Sequence, residues 1–270
     1  MNKFSNHIYL GISPISQDSV SQFKTQDPLM SFLAEDQHNR LEKMTNLTRR
    51  EEFLGVRSIL LKLYQKYELI LGQSSTSQVV KLTQDEYGRP YLMQPRVSSQ
   101  ANEGTVKSKS KVQEPQNDSL PSVSLSHSKQ WLAAVISDQS RIGIDIEIPI
   151  RTVSEALKSR FFTQQEIQEG IFYDHPMWLW VIKEAVVKCI GTGIQADLTK
   201  VVVRIVDPNT RASENWSIER HSSMQKGEER EYLFYARYST KEWFEGKLWT
   251  HPSYVCAIAI PSLSIGGNSE

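Results

Sequence analysis

Two stretches of the chain carry apolar residues at the three- to four-residue spacing of an α-helix. The first covers residues 49–71, and the second, which is more apolar, covers residues 177–190. Weaker helical patterns cover residues 28–46, where the spacing is irregular, and residues 152–161. In the first stretch the apolar positions are Phe53, Leu54, Ile59, Leu60, Leu63, Tyr64 and Tyr67. The pattern therefore predicts one long helix early in the chain and a second one late in it.

A threonine followed three residues later by a glutamate is typical of a helix N-terminus. Each side chain can accept a hydrogen bond from the backbone N–H group of the other residue, which forms a capping box. Thr48 with Glu51, and Thr163 with Glu166, have this spacing. We therefore predict that helices begin at both threonines.

Strand patterns fill much of the remaining sequence. Isoleucines at every second position of residues 141–148 alternate with Gly143, Asp145 and Glu147, which predicts a strand with one apolar and one acidic face. Gly88 and Pro90 mark a turn over residues 85–90. Further strands are predicted at residues 7–12, 79–82, 122–126, 131–137, 201–206, 216–220, 231–238 and 254–260.

The order of these elements predicts an α+β protein with one dominant helix and a small sheet in each half of the chain. We place the N-terminal half at residues 1–130 and the C-terminal half at residues 131–270. Within the first half, residues 94–121 lose all periodicity, are rich in Ser, Gln, Lys and Asn, and lack aromatic residues. We interpret this segment as a disordered or mobile insertion.

Composition narrows the classes of function. The 270 residues include 31 Lys and Arg and 31 Asp and Glu, a formal charge of zero that argues against a dedicated nucleic-acid binder. The two cysteines, Cys189 and Cys256, are too few for a disulfide framework and badly placed for a zinc site. The N-terminus lacks a signal peptide's apolar region, and no apolar run approaches the roughly 20 residues of a membrane span. We predict a cytoplasmic protein without nucleic-acid or membrane partners.

Two carboxylates on the strand at 141–148 form the first candidate for chemistry. Asp145 and Glu147 lie two residues apart, so their side chains leave the same face of the strand. Such close carboxylates repel each other unless a cation lies between them, and Mg²⁺ prefers oxygen ligands of this kind. On its own, however, the spacing is more typical of a solvated strand face.

The late helix and a strand end supply further candidates. Glu184 and Lys188 lie four residues apart on one helix face, and the apolar turns around them favour partial burial. Lys183 falls on another face and is predicted to be exposed. His127, between two serines at a strand end, could face a phosphate, although a single histidine is more often structural. Residues 40–66 hold seven basic and three acidic residues, which indicates either a solvated helix face or an anion-facing surface.

Together these segments resemble the 4′-phosphopantetheinyl transferase superfamily, in its long, Sfp-like type. The family carries a Ser-His-Ser strand end, a strand Gly-[Ile/Val]-Asp-[Ile/Val]-Glu and a helix Trp-x-x-Lys-Glu-[Ala/Ser]-x-x-Lys. This chain has SLSHS at 124–128, IGIDIE at 142–147, WVIKEAVVK at 180–188, RFFTQQE at 160–166 and EYGRP at 86–90. The resemblance runs from about residue 40 to 195, and its motifs occur in the family's order.

The resemblance implies an α+β fold of two pseudo-symmetric halves, each a small, mostly antiparallel sheet with one long helix. It implies transfer of the 4′-phosphopantetheine arm of coenzyme A to a serine of an apo acyl carrier protein, or of a peptidyl or polyketide carrier domain, with release of 3′,5′-ADP. Members of the long, Sfp-like type carry both halves in one chain, so a monomer is expected. Segment 94–121 is longer than expected for the family, and the last 75 residues match none of its motifs.

The resemblance also implies roles for individual residues. Asp145, Glu147 and Glu184 would hold Mg²⁺, with Mn²⁺ as the alternative ion, against the pyrophosphate of coenzyme A. Glu184 would also be the general base, directly or through a bound water, and Lys188 would reach a phosphate oxygen. The remaining candidates for binding coenzyme A are Ser126 and His127 at the pyrophosphate, Arg89 at the 3′-phosphate, and Arg50 and Arg57 at that phosphate or at the acidic carrier.

Two other functions use similar residues. A metal-dependent phosphohydrolase or nuclease would also combine carboxylates, a lysine and Mg²⁺. A carrier-binding relative that had lost catalysis would keep the fold without the reaction. The neutral overall charge weighs against a DNA substrate, and the presence of Asp145, Glu147, Glu184 and Lys188 weighs against an inactive relative.

Overall fold

A computed structural model of the protein describes residues 6–15, 27–72, 79–95, 120–149, 153–168, 171–192, 196–206, 216–222, 229–240 and 242–262. The strands are β1 Asn6–Pro14, β2 Lys81–Gln84, β3 Pro90–Met93, β4 Ser122–Ser128, β5 Trp131–Ser137, β6 Gly143–Glu147, β7 Val201–Val206, β8 Trp216–Ser222, β9 Arg230–Tyr238, β10 Glu242–His251 and β11 Tyr254–Pro261. The helices are α1 Pro28–Phe32, α2 Glu35–Glu42, α3 Leu47–Ile70, α4 Glu155–Lys158, α5 Gln164–Gln168, α6 Ile171–Asp174 and α7 Pro176–Ile190, with a 3-10 helix at Leu198–Lys200. The α+β class predicted from the sequence is confirmed.

The described strands form three sheets that are antiparallel apart from one pair. The N-terminal sheet has the order β4-β5-β1-β8, the C-terminal sheet has the order β6-β11-β10-β9-β7, and β2 pairs with β3. Strand β8 runs parallel to β1, although it comes from the second half of the sequence. Strands β5 and β8 therefore join a sheet begun by the first half, across the boundary predicted at residue 130. That boundary and the pseudo-symmetry of the halves stay predictions.

Two long helices and two sheets stack in the order α3, N-terminal sheet, C-terminal sheet, α7. One apolar core lies between α3 and the N-terminal sheet, a second between the two sheets, and a third between the C-terminal sheet and α7. The alternation along a strand decides which core each residue enters. Ile144 and Ile146 of β6 enter the middle core, so the opposite face of β6, which carries Asp145, is turned towards α7.

Serine hydroxyls join the two sheets at their edges. Strand β6 is an edge strand, so its outward backbone N–H groups lack a neighbouring strand. The N–H of Ile144 donates to Oγ of Ser124 at 3.1 Å, and the N–H of Ile146 donates to Oγ of Ser126 at 3.3 Å. Strand β4 therefore lies against β6 in one defined register, and this register positions the polar end of β4.

Several element boundaries differ from the sequence prediction. Helix α3 begins at Leu47, and its N-cap is Asn46, whose side chain accepts from the N–H of Arg49 at 3.0 Å. The N-cap predicted at Thr48 is therefore wrong, since the asparagine two residues earlier already satisfies the end of the helix. Strands β3 and β10 were not predicted, and within the predicted helix 152–161 the described part is helical only over Glu155–Lys158.

Most of the predicted insertion at 94–121 lies outside the described residues. Among the described helices, none has the length and apolar character needed to cross a membrane.

The second predicted capping box, at Thr163 and Glu166, is confirmed. The N–H of Thr163 donates to Oε2 of Glu166 at 2.8 Å, and the N–H of Glu166 donates to Oγ1 of Thr163 at 3.2 Å. The other oxygen of Glu166 accepts from the N–H of Val203 at 3.0 Å, which ties the start of α5 to β7.

Lys183 is completely buried, so its predicted exposure is wrong. Its ammonium group lies 2.8 Å from Glu166, which is also fully buried, and it donates to the carbonyl groups of Phe161 at 2.5 Å and Leu198 at 3.2 Å. Burial lowers the pKa of Lys183, and the Glu166 carboxylate opposes this shift. All three N–H groups of the ammonium therefore have acceptors. Lys183 joins helix α7 to Phe161, which precedes the helix, and to Leu198, which follows it.

We expect Lys183→Met to destabilise the protein by about 3–5 kcal/mol, because it leaves the Glu166 carboxylate buried without its cation. The matched control is Lys62→Met, since Lys62 is an exposed lysine on helix α3. The control should lose less than about 1 kcal/mol. Urea unfolding of both variants measures the difference, and equal losses would contradict this account of Lys183.

Candidate functional site

The ends of β4 and β6 meet one face of α7 and bring three predicted residues into contact. Oδ1 of Asp145 accepts from Oγ of Ser126 at 2.8 Å and from Nζ of Lys188 at 2.7 Å. Nζ of Lys188 also lies 2.9 Å from Oγ of Ser126. Lys188 therefore pairs with the strand carboxylate of Asp145.

The second oxygen of Asp145 has no hydrogen-bond partner in the part of the chain that the structure describes. Asp145 is 6% exposed, and its Oδ2 is buried and accepts no hydrogen bond from the described residues. Buried carboxylate oxygens are normally satisfied, because an unsatisfied one carries a desolvation cost of about 1–3 kcal/mol or more. An oxygen of this kind beside a half-exposed lysine marks a position that a ligand or a cation can satisfy.

Glu147 and Glu184 extend the acidic character of this site. The hydroxyl of Ser128 donates to Oε2 of Glu147. This contact joins β4 to β6 two residues further along each strand than the contact of Ser126 with Asp145. Burial raises the pKa of Glu184, and the negative charges of Asp145 and Glu147 raise it further, while Lys188 opposes the shift. The structure therefore places Glu184 within electrostatic reach of both strand carboxylates.

The carboxylates do not form a ready-made metal centre. Among the described residues, no group of three or more His, Cys, Asp or Glu side chains is arranged to hold a metal ion. The shared Mg²⁺ site of Asp145, Glu147 and Glu184 therefore stays a prediction.

Glu52 of α3 contacts His127, which the sequence had singled out at the end of β4. Nδ1 of His127 lies 3.3 Å from Oε2 of Glu52, with side chains that are 46% and 12% exposed. Burial lowers the pKa of His127, and so do the charges of Lys188, Arg57 and Arg40, while Asp145 opposes them. This histidine therefore lies in a region with an excess of positive charge.

A cavity of about 310 Å³ lies next to Glu184 and Lys188. Its lining includes Glu184, Lys188 and Ser124, together with Arg89 and Tyr87 from the turn before β3. Arg89 lies against the C-terminal end of α7, because a Cβ added to Gly191 would come within 3.0 Å of its guanidinium group. The structure therefore brings Arg89 to the same cavity as Glu184 and Lys188.

Arg50 and Arg57 make contacts within the protein. The guanidinium of Arg50 donates to the carbonyl of Leu41 at 2.8 Å. Arg57 is buried, donates twice to Gln37 at 2.7 and 3.0 Å, and lies 3.3 Å above the ring of Phe53. Their role in binding coenzyme A stays a prediction, and these contacts give Arg57 a structural role as well.

Two residues near the site were missed by the sequence analysis. Glu52 reaches His127 from a distant part of the chain, and no local spacing indicates that contact. Arg40 was counted only within the basic segment, although it donates to Gln84 at 2.7 Å and its charge acts on His127. The excess of basic residues over 40–66 was the one signal that included Arg40.

Known proteins match the segment that carries the acidic residues. Residues 141–232 match the family described as the 4′-phosphopantetheinyl transferase superfamily. The family predicted from the motifs is confirmed for this segment. A protein of Bacillus pumilus named 4′-phosphopantetheinyl transferase psf-1 is 33% identical over 90 residues, which are 30% of this chain and 36% of that protein. The match to this relative therefore spans about a third of its length.

The matched segment contains Asp145, Glu147, Glu184 and Lys188. Ser126, His127 and Arg89 lie before it and are joined to it by the tertiary contacts described above. The candidate site is therefore assembled from residues inside and outside the matched region.

We expect Gly143→Ala to separate β6 from α7, because an added Cβ would lie 1.9 Å from the carbonyl oxygen of Ala185 and 2.5 Å from the N–H nitrogen of Cys189. Both atoms belong to helix backbone and cannot rotate away, so we expect a loss of about 3 kcal/mol or more in unfolding free energy.

Gly55→Ala is the matched control. Its Cβ would lie 2.5 Å from Cδ1 of Leu132, a side-chain end that can rotate, and alanine gains up to about 1 kcal/mol of helix propensity over glycine. Thermal and urea unfolding compare the two variants. A Gly143→Ala protein as stable as Gly55→Ala would show that α7 does not depend on close contact with β6.

Proposed function

We propose that this protein transfers the 4′-phosphopantetheine arm of coenzyme A to a serine of an apo carrier protein and releases 3′,5′-ADP. The observation that carries the proposal is the contact of Asp145, Lys188 and Ser126, in which Oδ2 of Asp145 is buried without a hydrogen-bond partner among the described residues. Lys188 of this contact also lines a cavity together with Glu184. The family match over residues 141–232 supports the same reaction.

The cavity supplies the groups that a substrate with several phosphates requires. Lys188 and Arg89 both line it, and cationic side chains stabilise phosphate oxygens by charge-assisted hydrogen bonds. We assign Arg89 to the 3′-phosphate and Lys188, Ser126 and His127 to the pyrophosphate of coenzyme A. Arg50 and Arg57 remain candidates for the 3′-phosphate or for the acidic surface of the carrier.

The donor atoms of Asp145, Glu147 and Glu184 are of the type that a hard divalent cation prefers. Oδ2 of Asp145 is a buried carboxylate oxygen without a donor, and Glu147 and Glu184 add further carboxylates whose mutual repulsion a cation would relieve. We propose that these three residues hold Mg²⁺, or Mn²⁺ in its place. When bound, the ion would neutralise negative charge on the pyrophosphate.

Glu184 is the general base in this proposal. Burial raises the pKa of Glu184, and the charges of Asp145 and Glu147 raise it further, while Lys188 opposes the shift. A carboxylate with a raised pKa is a stronger base, which suits a group that removes a proton. The carrier hydroxyl gives its proton to the Glu184 carboxylate while its oxygen bonds to the β-phosphorus. The bond from that phosphorus to the bridging oxygen breaks, and 3′,5′-ADP leaves with the bonding electrons.

The partner that we propose is an apo acyl carrier protein, or a peptidyl or polyketide carrier domain, and the active form is a monomer. This reaction needs coenzyme A and carrier proteins in the same compartment, so we propose that it takes place in the cytoplasm.

We expect Glu184→Gln to reduce transfer by about 10²–10⁴-fold, because the amide cannot accept the hydroxyl proton. The variant, coenzyme A, Mg²⁺ and several apo carriers are incubated, and the carriers are weighed by mass spectrometry. Glu155→Gln, which removes a carboxylate from a largely exposed side chain, serves as the control. Wild-type turnover in Glu184→Gln would remove Glu184 from the mechanism.

The same assay on the wild-type protein separates the rival functions. Addition of one phosphopantetheine arm to a carrier supports the transferase. Degraded coenzyme A with an unmodified carrier would support a phosphohydrolase, and no change in either would support a relative without catalysis.

We expect removal of divalent cations with EDTA to lower transfer by at least about 100-fold, because several kcal/mol of charge stabilisation is lost. Addition of Mg²⁺ in excess of the chelator should restore the rate, while circular dichroism should show an unchanged fold throughout. Transfer that continues at the original rate in EDTA would contradict the metal assignment.

A further inference from the structure

The contact between Glu52 and His127 connects the first long helix to the polar end of β4. Glu52 lies on α3, and its Oε2 is 3.3 Å from Nδ1 of His127. The Glu52 side chain is 12% exposed, whereas that of His127 is 46% exposed. The carboxylate is therefore covered by the protein, and the imidazole ring reaches from it towards solvent.

The charges that face His127 come from three other elements as well as from α3. They are Lys188 on α7, Arg57 on α3, Arg40 on α2 and Asp145 on β6. Burial lowers the pKa of His127, and the charges of the three cations lower it further, which favours the neutral ring with a single proton. Glu52 thus lies against a ring that is otherwise surrounded mainly by positive charge.

A neutral imidazole has one nitrogen that donates and one that accepts, and the partner of the first decides which is which. A carboxylate only accepts, so the tautomer with its proton on Nδ1 is the neutral form of the ring that can donate to Glu52 across the 3.3 Å contact. The same arrangement fixes the orientation of histidine rings that bind metals or reacting groups. With Nδ1 held, Nε2 is the ring atom left to meet a ligand.

We propose that Glu52 is a positioning residue, which holds His127 through Nδ1 and leaves Nε2 to meet the diphosphate of coenzyme A. This inference rests on the proposed function, because it assumes that coenzyme A binds beside His127. An anionic diphosphate compensates the surrounding cations, so Nε2 can take up a proton on binding and donate it as a hydrogen bond to a phosphate oxygen.

The tautomer can be measured on the wild-type protein without any substitution. Two-bond ¹H–¹⁵N spectra of the full chain distinguish a proton on Nδ1 from one on Nε2. We expect the Nδ1 tautomer in the free protein at pH 8, and a shift of the His127 Nε2 resonance towards the protonated value when coenzyme A and Mg²⁺ are added. A free ring with its proton on Nε2 would overturn the proposal.

The affinity for coenzyme A tests the role of Glu52 directly. We expect Glu52→Gln to raise the dissociation constant for coenzyme A by about tenfold, the value of one hydrogen bond to a charged group, while the fold is retained. Glu51→Gln, which removes the neighbouring charge on the same helix, is the matched control and should bind like the wild type. Glu52→Asp keeps the carboxylate and should lose less affinity than Glu52→Gln.

The double variant distinguishes positioning from an independent effect. If Glu52 acts through His127, Glu52→Gln combined with His127→Ala binds no more weakly than His127→Ala alone. Losses that multiply, or a Glu52→Gln variant with wild-type affinity, would overturn the inference. Calorimetry without a carrier supplies these constants, so they do not depend on turnover.

The outcome separates this inference from the proposed function. If coenzyme A binds and no carrier is modified, transfer is contradicted, and the comparison of dissociation constants still decides the role of Glu52. If the wild-type protein does not bind coenzyme A at all, the proposed function and this inference are both overturned.

Discussion

The hydrogen bonds between the serines of β4 and the backbone of β6 are the interaction on which the site depends. An edge strand whose N–H groups lack acceptors is costly when it is buried, and the hydroxyls of Ser124 and Ser126 satisfy two of these groups. Because the serines occur at every second residue, a slip of one position would turn them to the other face of β4. The register that joins the sheets is thus the register that sets Ser126 against Asp145.

The two ion pairs of α7 show how one helix combines structure with chemistry. Lys183 and Glu166 are fully buried, and every donor of the ammonium has an acceptor, so this pair has nothing left to offer a ligand. Lys188 is 31% exposed and its partner Asp145 keeps one buried oxygen without a donor. An ion pair whose hydrogen-bonding groups are all satisfied stabilises the fold. An ion pair that keeps an unsatisfied oxygen, and whose lysine lines a cavity, is available for binding.

The segment that matches known proteins contains only part of the candidate site. Residues 141–232 contain the carboxylates and Lys188, but the serines, His127 and Arg89 precede this segment. Strand β4 reaches the segment through its contact with β6, and the turn carrying Arg89 reaches it through the C-terminal end of α7. Arg89 can approach there because Gly191, at a φ of 86°, has no side chain in the way.

The sequence by itself determined the class of fold, the two long helices, most strands and the motifs that indicate the family, because periodicity and local spacing are short-range properties. It also singled out Asp145, Glu184 and Lys188 as candidate site residues, but its prediction that Lys183 is exposed was wrong. Only the tertiary structure decided that Lys188 pairs with Asp145, that Lys183 pairs with Glu166 and that Glu52 contacts His127. The partners in each pair come from different elements of the chain. They meet because the helices and sheets pack against one another, and no local sequence pattern predicts that packing.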